Sequence, residues 1–183
     1  MLILGLTGPI GAGKDAVSDY LAENHGFRSF GGGNIVRKVA DERGIEPTRE
    51  NLQDLGEECR DEEGNGFIGK KAAKMIGKSD GRKFVVNGIR NPEEVEVLRE
   101  EFGDGFVLIY VRADEETRFE RLKSRGRTGD PKTFEEFRQQ DREDRKRFKM
   151  DETFSMADIE LSNEGTLREL HERVEEALSN LRP

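Results

Sequence analysis

Residues 2–15 read LILGLTGPIGAGKD, an apolar run that gives way to glycines, a lysine and an acidic residue. The pattern predicts a buried strand, a glycine-rich turn and a helix whose apolar positions include Ala16, Val17 and Leu21. Glycines let successive backbone N–H groups point at one anion, and the N-terminus of a helix adds a partial positive charge. We therefore predict that this turn binds nucleotide phosphates and that the Lys14 ammonium contacts the outer ones.

The spacing of Gly8, Gly13 and Lys14 matches the Walker A phosphate loop. Asp15 departs from it, because a serine or threonine hydroxyl that touches Mg²⁺ usually occupies that position. Three positions also fit the dinucleotide fingerprint GxGxxA, but this fingerprint expects an acidic residue near the end of the second strand, and residues 27–30 offer none. The predicted nucleotide contacts are Gly8, Gly11, Ala12, Gly13, Lys14, Asp15 and Ala16.

The composition predicts one cytoplasmic domain, residues 1–183, with a surface of mixed charge. Of the 183 residues 33% are hydrophobic and 38% charged, and the net charge is −8. This balance favours neither nucleic acid nor a membrane as a partner and leaves the oligomeric state open. The first strand begins at once, without a basic or long apolar leader. Cys59 is a lone cysteine, predicted to be a small buried hydrophobe, and the two isolated histidines support neither a metal cluster nor a catalytic triad.

Four further apolar runs, at residues 27–30, 83–88, 106–111 and 157–163, predict strands separated by segments of helical periodicity. Strands that alternate with helices at these lengths indicate an α/β fold with a parallel, helix-covered sheet. Ligands of such sheets bind at the carboxyl ends of the strands. The phosphate loop follows one predicted strand, and a pair of polar residues, Asn87 and Arg90, follows another.

Polar residues mark several predicted helix starts. Asn34 and Asn91 are predicted N-caps, and Thr133 and Thr166 each begin a capping box with a glutamate three residues later. Residues 34–78 form a long, mostly helical excursion between strands, which is typical of a region that covers a substrate. Its acidic run of glutamates and aspartates is predicted to be a solvated face.

Arginines are concentrated between residues 118 and 147. For most of them the simplest interpretation is an exposed helix with ion pairs three or four residues apart, involving acids such as Asp141. For Arg121, Arg125 and Arg127, beside a glycine-containing loop, we predict phosphate contact, because arginine binds phosphate through paired N–H groups.

Together these residues resemble the P-loop nucleoside monophosphate kinase superfamily over essentially the whole chain. They look most like its deoxynucleoside monophosphate kinase and dephospho-coenzyme A kinase-like branch, in which some phage enzymes also carry Gly-Lys-Asp. The resemblance implies a three-layer α/β/α sandwich around a five-stranded parallel sheet of order 2-3-1-4-5. It further implies a helical acceptor-binding region at residues 34–78 and an arginine-rich lid at residues 121–147.

Two segments resemble the superfamily's acceptor site. Residues 32–37, GGNIVR, are similar to the adenylate kinase segment Thr-Gly-Asp-x-x-Arg, whose arginine holds the acceptor monophosphate. Residues 86–90, VNGIR, look like Asp-Gly-x-x-Arg, which carries a second such arginine. The acceptor-binding residues implied by this resemblance are Gly33, Asn34, Arg37, Asn87 and Arg90.

The same resemblance implies roles for the arginines and for the last loop. Residues 121–127 match lid arginines that clamp phosphates, and Arg142 or Arg145 matches a later pair. Residues 163–165 resemble the loop that lies against adenine, which adds Asn163 and Gly165 to the nucleotide contacts. The implied catalytic residues are Lys14, Arg90, Arg121, Arg125, Arg127 and Arg142.

Two departures affect the metal. The superfamily's aspartates at positions 34 and 87 are Asn34 and Asn87 here, which keep hydrogen bonding but lose charge. In this fold the third strand lies beside the first, so Asn87 and Asp15 should be neighbours. We hypothesise that the usual hydroxyl and aspartate have become Asp15 and Asn87, which leaves Asp15 as the one acid for the water shell of Mg²⁺.

The resemblance implies phosphoryl transfer from ATP, with Mg²⁺, to a nucleoside or deoxynucleoside monophosphate. No general base is needed, because the acceptor phosphate is already an anion. One alternative is a dephospho-coenzyme A kinase, whose hydroxyl acceptor benefits from a carboxylate base where this chain has Asn34. The other is a catalytically impaired nucleotide-binding module, favoured by the two asparagines and opposed by the arginines.

Overall fold

Strand β1 (Leu2–Thr7) lies at the centre of the sheet in the computed structural model, which describes residues 1–127 and 129–181, with Arg49 described by its backbone alone. It pairs in parallel with one strand on each side, and the full order is β2-β3-β1-β4-β5 with all pairings parallel. The predicted fold class and strand order are therefore confirmed. The other strands are β2 (Arg28–Gly31), β3 (Lys83–Ile89), β4 (Phe106–Arg112) and β5 (Ile159–Ser162).

Helices connect the strands and cover the sheet on both faces. The first three are α1 (Lys14–His25), α2 (Gly32–Arg43) and α3 (Arg49–Glu63). The next three are α4 (Phe67–Gly77), α5 (Pro92–Phe102) and α6 (Glu115–Arg125). The last three are α7 (Phe134–Arg147), α8 (Met150–Ser155) and α9 (Leu167–Asn180). Helices α2, α3 and α4 make up the predicted excursion between β2 and β3.

Two apolar cores lie on opposite faces of the sheet. Neighbouring residues of a strand point to opposite faces, so Ile3 packs with Phe84 and Leu108 in the core beneath α2 to α5. Leu4 packs with Val85 in the other core, beneath α1 and α9. Because central strands of a covered parallel sheet bury both faces, these strands read as continuous apolar runs in the sequence.

Gly5 interrupts the apolar run of β1 for a steric reason. A Cβ at this position would lie 2.6 Å from Cδ1 of Ile89 and 2.7 Å from Cζ of Phe106. The neighbouring strands therefore close over β1 only because residue 5 has no side chain.

Most predicted helix starts are confirmed. Asn91, Thr133 and Thr166 each form a capping box with the glutamate three residues on. The prediction for Asn34 is wrong, because the N-cap of α2 is Gly31, three residues earlier. Gly31 has extended backbone angles and still pairs with β3, so the chain passes from β2 into α2 without a loop.

Two other boundaries differ from the sequence predictions. Residues 157 and 158 precede β5, because the Asp158 carboxylate accepts a hydrogen bond of 2.7 Å from the Leu108 N–H and caps the edge of β4. The short helix α8 was not predicted, and it begins after Lys149, a non-glycine residue with a φ of 50°. Cys59 is fully buried, as predicted. No helix in residues 1–127 or 129–181 has the length and apolar content needed to cross a membrane.

Candidate nucleotide-binding site

The phosphate loop joins the carboxyl end of β1 to α1, and its glycines are required by both space and conformation. Gly8, Gly11 and Gly13 have positive φ angles of 145°, 78° and 100°. A Cβ at Gly8 would lie 2.1 Å from the Val111 carbonyl oxygen, and one at Gly13 would lie 2.2 Å from Nδ2 of Asn163. Ala12 is fully buried, and the loop ends at the first turn of α1, where backbone N–H groups are free to bind an anion.

Lys14 folds back over its own loop. Its Nζ donates to the carbonyl oxygens of Gly8 at 2.7 Å and Pro9 at 2.9 Å. Burial, followed by the nearby Arg90 guanidinium, lowers the pKa of Lys14 from 10.5 to about 8. The ammonium is thus held in a strained electrostatic setting that an added anion relieves.

Asp15 and Asn87 are neighbours, as the order of the strands predicted. Asn87 lies near the carboxyl end of β3, and its Nδ2 donates to Oδ1 of Asp15 at 2.8 Å. Oδ1 of Asn87 is buried and has no hydrogen-bond partner among the described residues. Asp15 itself is exposed, with Ala16 half-buried behind it.

This pair fits the coordination chemistry of Mg²⁺. The ion takes oxygen ligands, keeps several waters and is bound in phosphotransferases by one or two carboxylates together with substrate phosphates. Asp15 offers a carboxylate and Asn87 an amide oxygen without a partner, both next to the phosphate loop. In the described part of the chain no three His, Cys, Asp or Glu side chains form a metal cage, so phosphates and waters would complete the shell.

Arg90 follows β3 and is fixed through its backbone. Its N–H donates to Oε2 of Glu94 at 2.8 Å, and its carbonyl accepts from Oγ1 of Thr153 at 2.7 Å. The guanidinium carbon lies 5.0 Å from the centre of the Phe148 ring. No carboxylate among the described residues pairs with it, so its charge remains available beside Lys14.

The other predicted acceptor residues form a local group on the first turns of α2. The Arg37 guanidinium donates to Oδ1 of Asn34 at 3.2 Å. A Cβ at Gly33 would lie 3.5 Å from a terminal nitrogen of the same guanidinium. All three residues are exposed.

Asn163 ties the end of β5 to the phosphate loop. Its Nδ2 donates to the Ala12 carbonyl at 2.8 Å, and it accepts from the Arg121 guanidinium at its backbone oxygen, 2.9 Å, and at Oδ1, 3.3 Å. One nitrogen of Arg121 is buried without a partner among the described residues. Arg121 and Gly165 both line a shallow groove of about 660 Å³ between α6 and the loop before α9.

The remaining predicted lid arginines lie farther apart. Arg125 donates to both carboxylate oxygens of Asp130, at 3.1 and 2.5 Å, and holds the pKa of that carboxyl below its usual range. The backbone N–H of Arg127 donates to the same carboxylate at 2.9 Å, while its side chain is exposed. Arg142 is exposed on α7, 3.9 Å from Glu135.

The predicted ion pairs three or four residues apart are wrong for several of the arginines. Arg138 pairs with Glu115 on α6, and Arg145 pairs with Asp151 on α8. Consecutive helices pack side by side here, so the nearest acid is on a neighbouring element instead of one turn away.

Two arginines that the sequence analysis did not assign to the site belong to its surroundings. Arg118 is 2% exposed and donates to the Ile10 carbonyl of the phosphate loop at 3.1 Å and to Asp141. Arg60, on α3, packs against the same Phe148 ring as Arg90. The arginine-rich segment around Arg118 could have pointed to a role in the site. Arg60 lies within an acidic run, so no sequence pattern marks it.

Comparison with known proteins identifies the family of the chain. The AAA_18 family model, described as an AAA domain, matches residues 4–147. A UPF0200 protein of Hyperthermus butylicus is 39% identical over 98% of this chain and 95% of its own length. A UPF0200 protein of Methanosarcina mazei is 33% identical over 98% of this chain and 95% of its own.

Two solved structures share the fold at low sequence identity. Protein TT1252 from Thermus thermophilus has a TM-score of 0.67 at 16% identity and covers all of this chain and 98% of its own. A gluconokinase from Sinorhizobium meliloti 1021 has a TM-score of 0.58 at 18% identity over 98% of this chain and 93% of its own. By its family match and its full-length relatives, the chain belongs to the AAA-domain family of P-loop NTPases and to the UPF0200 proteins.

Proposed function

We propose that this protein is a cytoplasmic kinase that transfers the γ-phosphoryl group of ATP to a nucleoside or deoxynucleoside monophosphate. The observation that carries the proposal is the placement of two cations after neighbouring parallel strands: Lys14 begins the helix that follows β1, and Arg90 directly follows β3. The two cations repel each other, and no carboxylate among the described residues is paired with the Arg90 guanidinium. The phosphate tail of one nucleotide would neutralise Lys14 and occupy the loop. The Arg90 guanidinium would then be available to bind a second phosphate, that of the acceptor.

The residues carry out such a transfer by positioning and charge. Lys14 exchanges its two carbonyl partners for phosphate oxygens of ATP, and the loop N–H groups hold the β-phosphate. Arg90 fixes the acceptor phosphate in line, assisted by Arg37 from α2. Charge that develops on the transferring group is neutralised from the lid. The proposed lid residues are Arg121, Arg125, Arg127 and Arg142.

Closure of the lid has a specific cost in this chain. Arg125 is already bound by both oxygens of Asp130, so phosphates must compete with that carboxylate for the guanidinium. Arg121 needs no such exchange at its buried, unpartnered nitrogen. We therefore expect Arg121 to contact phosphate before Arg125 does.

Asp15 and Asn87 are the residues that would hold Mg²⁺. When bound, the ion neutralises charge on the β- and γ-phosphates and orients them. Asn87 also fixes the Asp15 carboxylate by donating to its Oδ1 at 2.8 Å, which would leave Oδ2 for the water shell of the ion.

A hydroxyl acceptor is the alternative, as in a dephospho-coenzyme A kinase. Such a reaction needs a base near the acceptor oxygen. At the start of α2 the polar side chain is Asn34, an amide that cannot take a proton, and its oxygen is bound to Arg37. The remaining alternative, a module that binds nucleotide without turnover, would leave the charge of Arg90 without a function.

The decisive experiment measures ADP formation from ATP and Mg²⁺ across a panel of ribo- and deoxyribonucleoside monophosphates. Dephospho-coenzyme A and gluconate serve as hydroxyl acceptors, and reactions without acceptor report hydrolysis. We expect turnover with one or a few monophosphates and a loss of at least about 100-fold in Arg90→Gln, since that variant removes a charge-assisted bidentate contact and misplaces the acceptor. ATP binding without turnover of any acceptor would overturn the proposal.

A further inference from the structure

The ring of Phe148 organises a group of arginines beside the proposed acceptor site. The guanidinium carbons of Arg60, Arg90 and Arg147 lie 4.9, 5.0 and 5.3 Å from its centre. The ring is 5% exposed, and Phe148 is the C-cap residue of α7. The next residue, Lys149, has a positive φ of 50°. Guanidinium groups stack favourably on an aromatic face, so one ring holds cations that would otherwise separate.

These three arginines differ in how they are neutralised. Arg147 forms an ion pair with Glu57. Arg60 and Arg90 have no carboxylate within ion-pair distance in residues 1–127 and 129–181. Glu94 lies near Arg60, but its carboxylate accepts from the backbone N–H of Arg90 and from Asn91. Arg60 and Arg90, which both lie against the Phe148 ring, therefore carry more positive charge than the single nearby Glu94 carboxylate can balance.

Arg60 is also incompletely hydrogen-bonded. One terminal nitrogen donates to the Gly56 carbonyl at 2.8 Å, whereas Nε is buried and has no partner among the described residues. Burial lowers the pKa of Arg60, Glu94 opposes this, and the Arg90 charge lowers the pKa further. A buried N–H without a partner costs free energy, and a guanidinium keeps its proton under all ordinary conditions. An oxyanion bound by Arg60 and Arg90 together would accept a hydrogen bond from Nε of Arg60 and would offset the repulsion between the two positive charges.

We propose that Arg60 is a further substrate-binding residue, which forms with Arg90 a two-guanidinium clamp for the phosphate dianion of the acceptor, stacked on Phe148. This inference rests on the proposed function and deepens it, because it names a residue of α3 that no motif pointed to. Arg90 reaches the clamp from the end of β3 and Arg60 from the excursion between β2 and β3. The clamp therefore selects a phosphomonoester over a neutral hydroxyl acceptor.

The test compares Arg60→Gln and Arg60→Lys with a matched control, Arg43→Gln. Arg43 lies on the neighbouring helix α2 and makes surface ion pairs with Glu58 and Glu62. With the acceptor found in the panel, we expect Arg60→Gln to raise the acceptor KM roughly 10- to 100-fold, the range for loss of a charge-assisted hydrogen bond. The KM for ATP should stay near that of wild type, and Arg60→Lys should recover part of the loss.

Inorganic phosphate separates this inference from the proposed function. In Lys14→Ala, where the loop cation is removed, we expect phosphate to bind and to raise the melting temperature, and we expect Lys14→Ala with Arg60→Gln to lose this effect. That result supports the clamp even where no monophosphate is turned over. An unchanged acceptor KM in Arg60→Gln, or equal phosphate binding in the two Lys14→Ala proteins, would overturn it.

Discussion

Arg118 and Asp141, 23 residues apart, form a bidentate ion pair of 2.7 and 3.0 Å that is almost entirely buried. The same guanidinium donates to the Ile10 carbonyl of the phosphate loop and lies 4.9 Å from the centre of the Phe137 ring. Helix α7 is thereby joined to the phosphate loop through one side chain of α6. Because of this anchor, the part of α7 around Asp141 is fixed to the phosphate loop. If the proposed lid closes, we expect this part of α7 to stay in place.

Removing one partner of this pair should be costly. Asp141→Leu leaves a buried guanidinium without a counter-ion, and we expect it to lower the free energy of unfolding by about 3–5 kcal/mol. Arg118→Met with Asp141→Leu should recover much of that loss in denaturant titrations, while ATP affinity stays reduced because the Ile10 carbonyl has lost its donor. Arg138→Gln, at an exposed pair, is the control and should change stability by less than about 0.5 kcal/mol. Full recovery of ATP affinity in the double variant would contradict this role.

The Asp15 and Asn87 pair gives a test of the relocated carboxylate. Asp15→Ser should weaken Mg²⁺ dependence and activity by about 10- to 100-fold, as is usual for groups that orient a metal's ligands. Adding Asn87→Asp should restore part of this, because the acid returns to the neighbouring strand beside a hydroxyl. Mg²⁺ titrations of ATP binding and turnover measure both effects. If the double variant is no better than Asp15→Ser, the hypothesis is wrong.

The pKa of Lys14 predicts how ATP affinity depends on pH. Without nucleotide the ammonium loses its proton above a pKa of about 8, and the phosphates of bound ATP raise that pKa again. ATP binding must therefore take up a proton above pH 8, and the logarithm of the association constant should fall by about one per pH unit there. Calorimetry in buffers of different ionisation enthalpy measures the uptake. Lys14→Arg stays charged and should lack the dependence; an identical pH profile in this variant would count against the assignment.

The close contact between Gly13 and the Asn163 side chain predicts that a larger residue at position 13 would distort the phosphate loop. Gly13→Ala places a methyl group 2.2 Å from Nδ2 of Asn163 at a positive φ, so it should abolish measurable ATP binding. Gly26→Ala is the matched control, since Gly26 also has a positive φ but has nothing within 4 Å of an added Cβ. Gly26→Ala should lower the free energy of unfolding by about 1 kcal/mol, through backbone strain alone. Fluorescence titration with a labelled nucleotide and thermal melting distinguish the two, and similar ATP affinities would refute the steric argument.

Local chemistry explains why much of this fold was predictable. The strand and glycine-rich loop at residues 2–15 and the helix N-caps at Asn91, Thr133 and Thr166 are short-range patterns, and each lies where predicted. The contact between Asp15 and Asn87 followed from the strand order alone. Asn34 is a residue type that favours the N-cap, but pairing of β2 with β3 continues to Gly31 and leads directly into the helix, so Asn34 lies inside its first turn.

The less predictable part of the site depends on packing between distant segments. Arg118 finds its acid on the following helix, and Arg60 finds Phe148 88 positions later in the chain. Neither partner lies at helical spacing, so periodicity could not identify them. Arg60 also lies among glutamates that are mostly exposed, as predicted, which concealed that its own side chain turns inward.

The hydrogen bond from Asn163 to Ala12 spans 151 residues, and it has a consequence for biosynthesis. The glycine-lysine motif precedes β5 in the chain and is synthesised before it, yet Asn163, which contacts the motif from behind, follows that last strand. Contacts between such distant segments form late, after the entropy of closing a long loop has been overcome. A nucleotide bound at this loop should therefore stabilise only a chain that has been synthesised through β5.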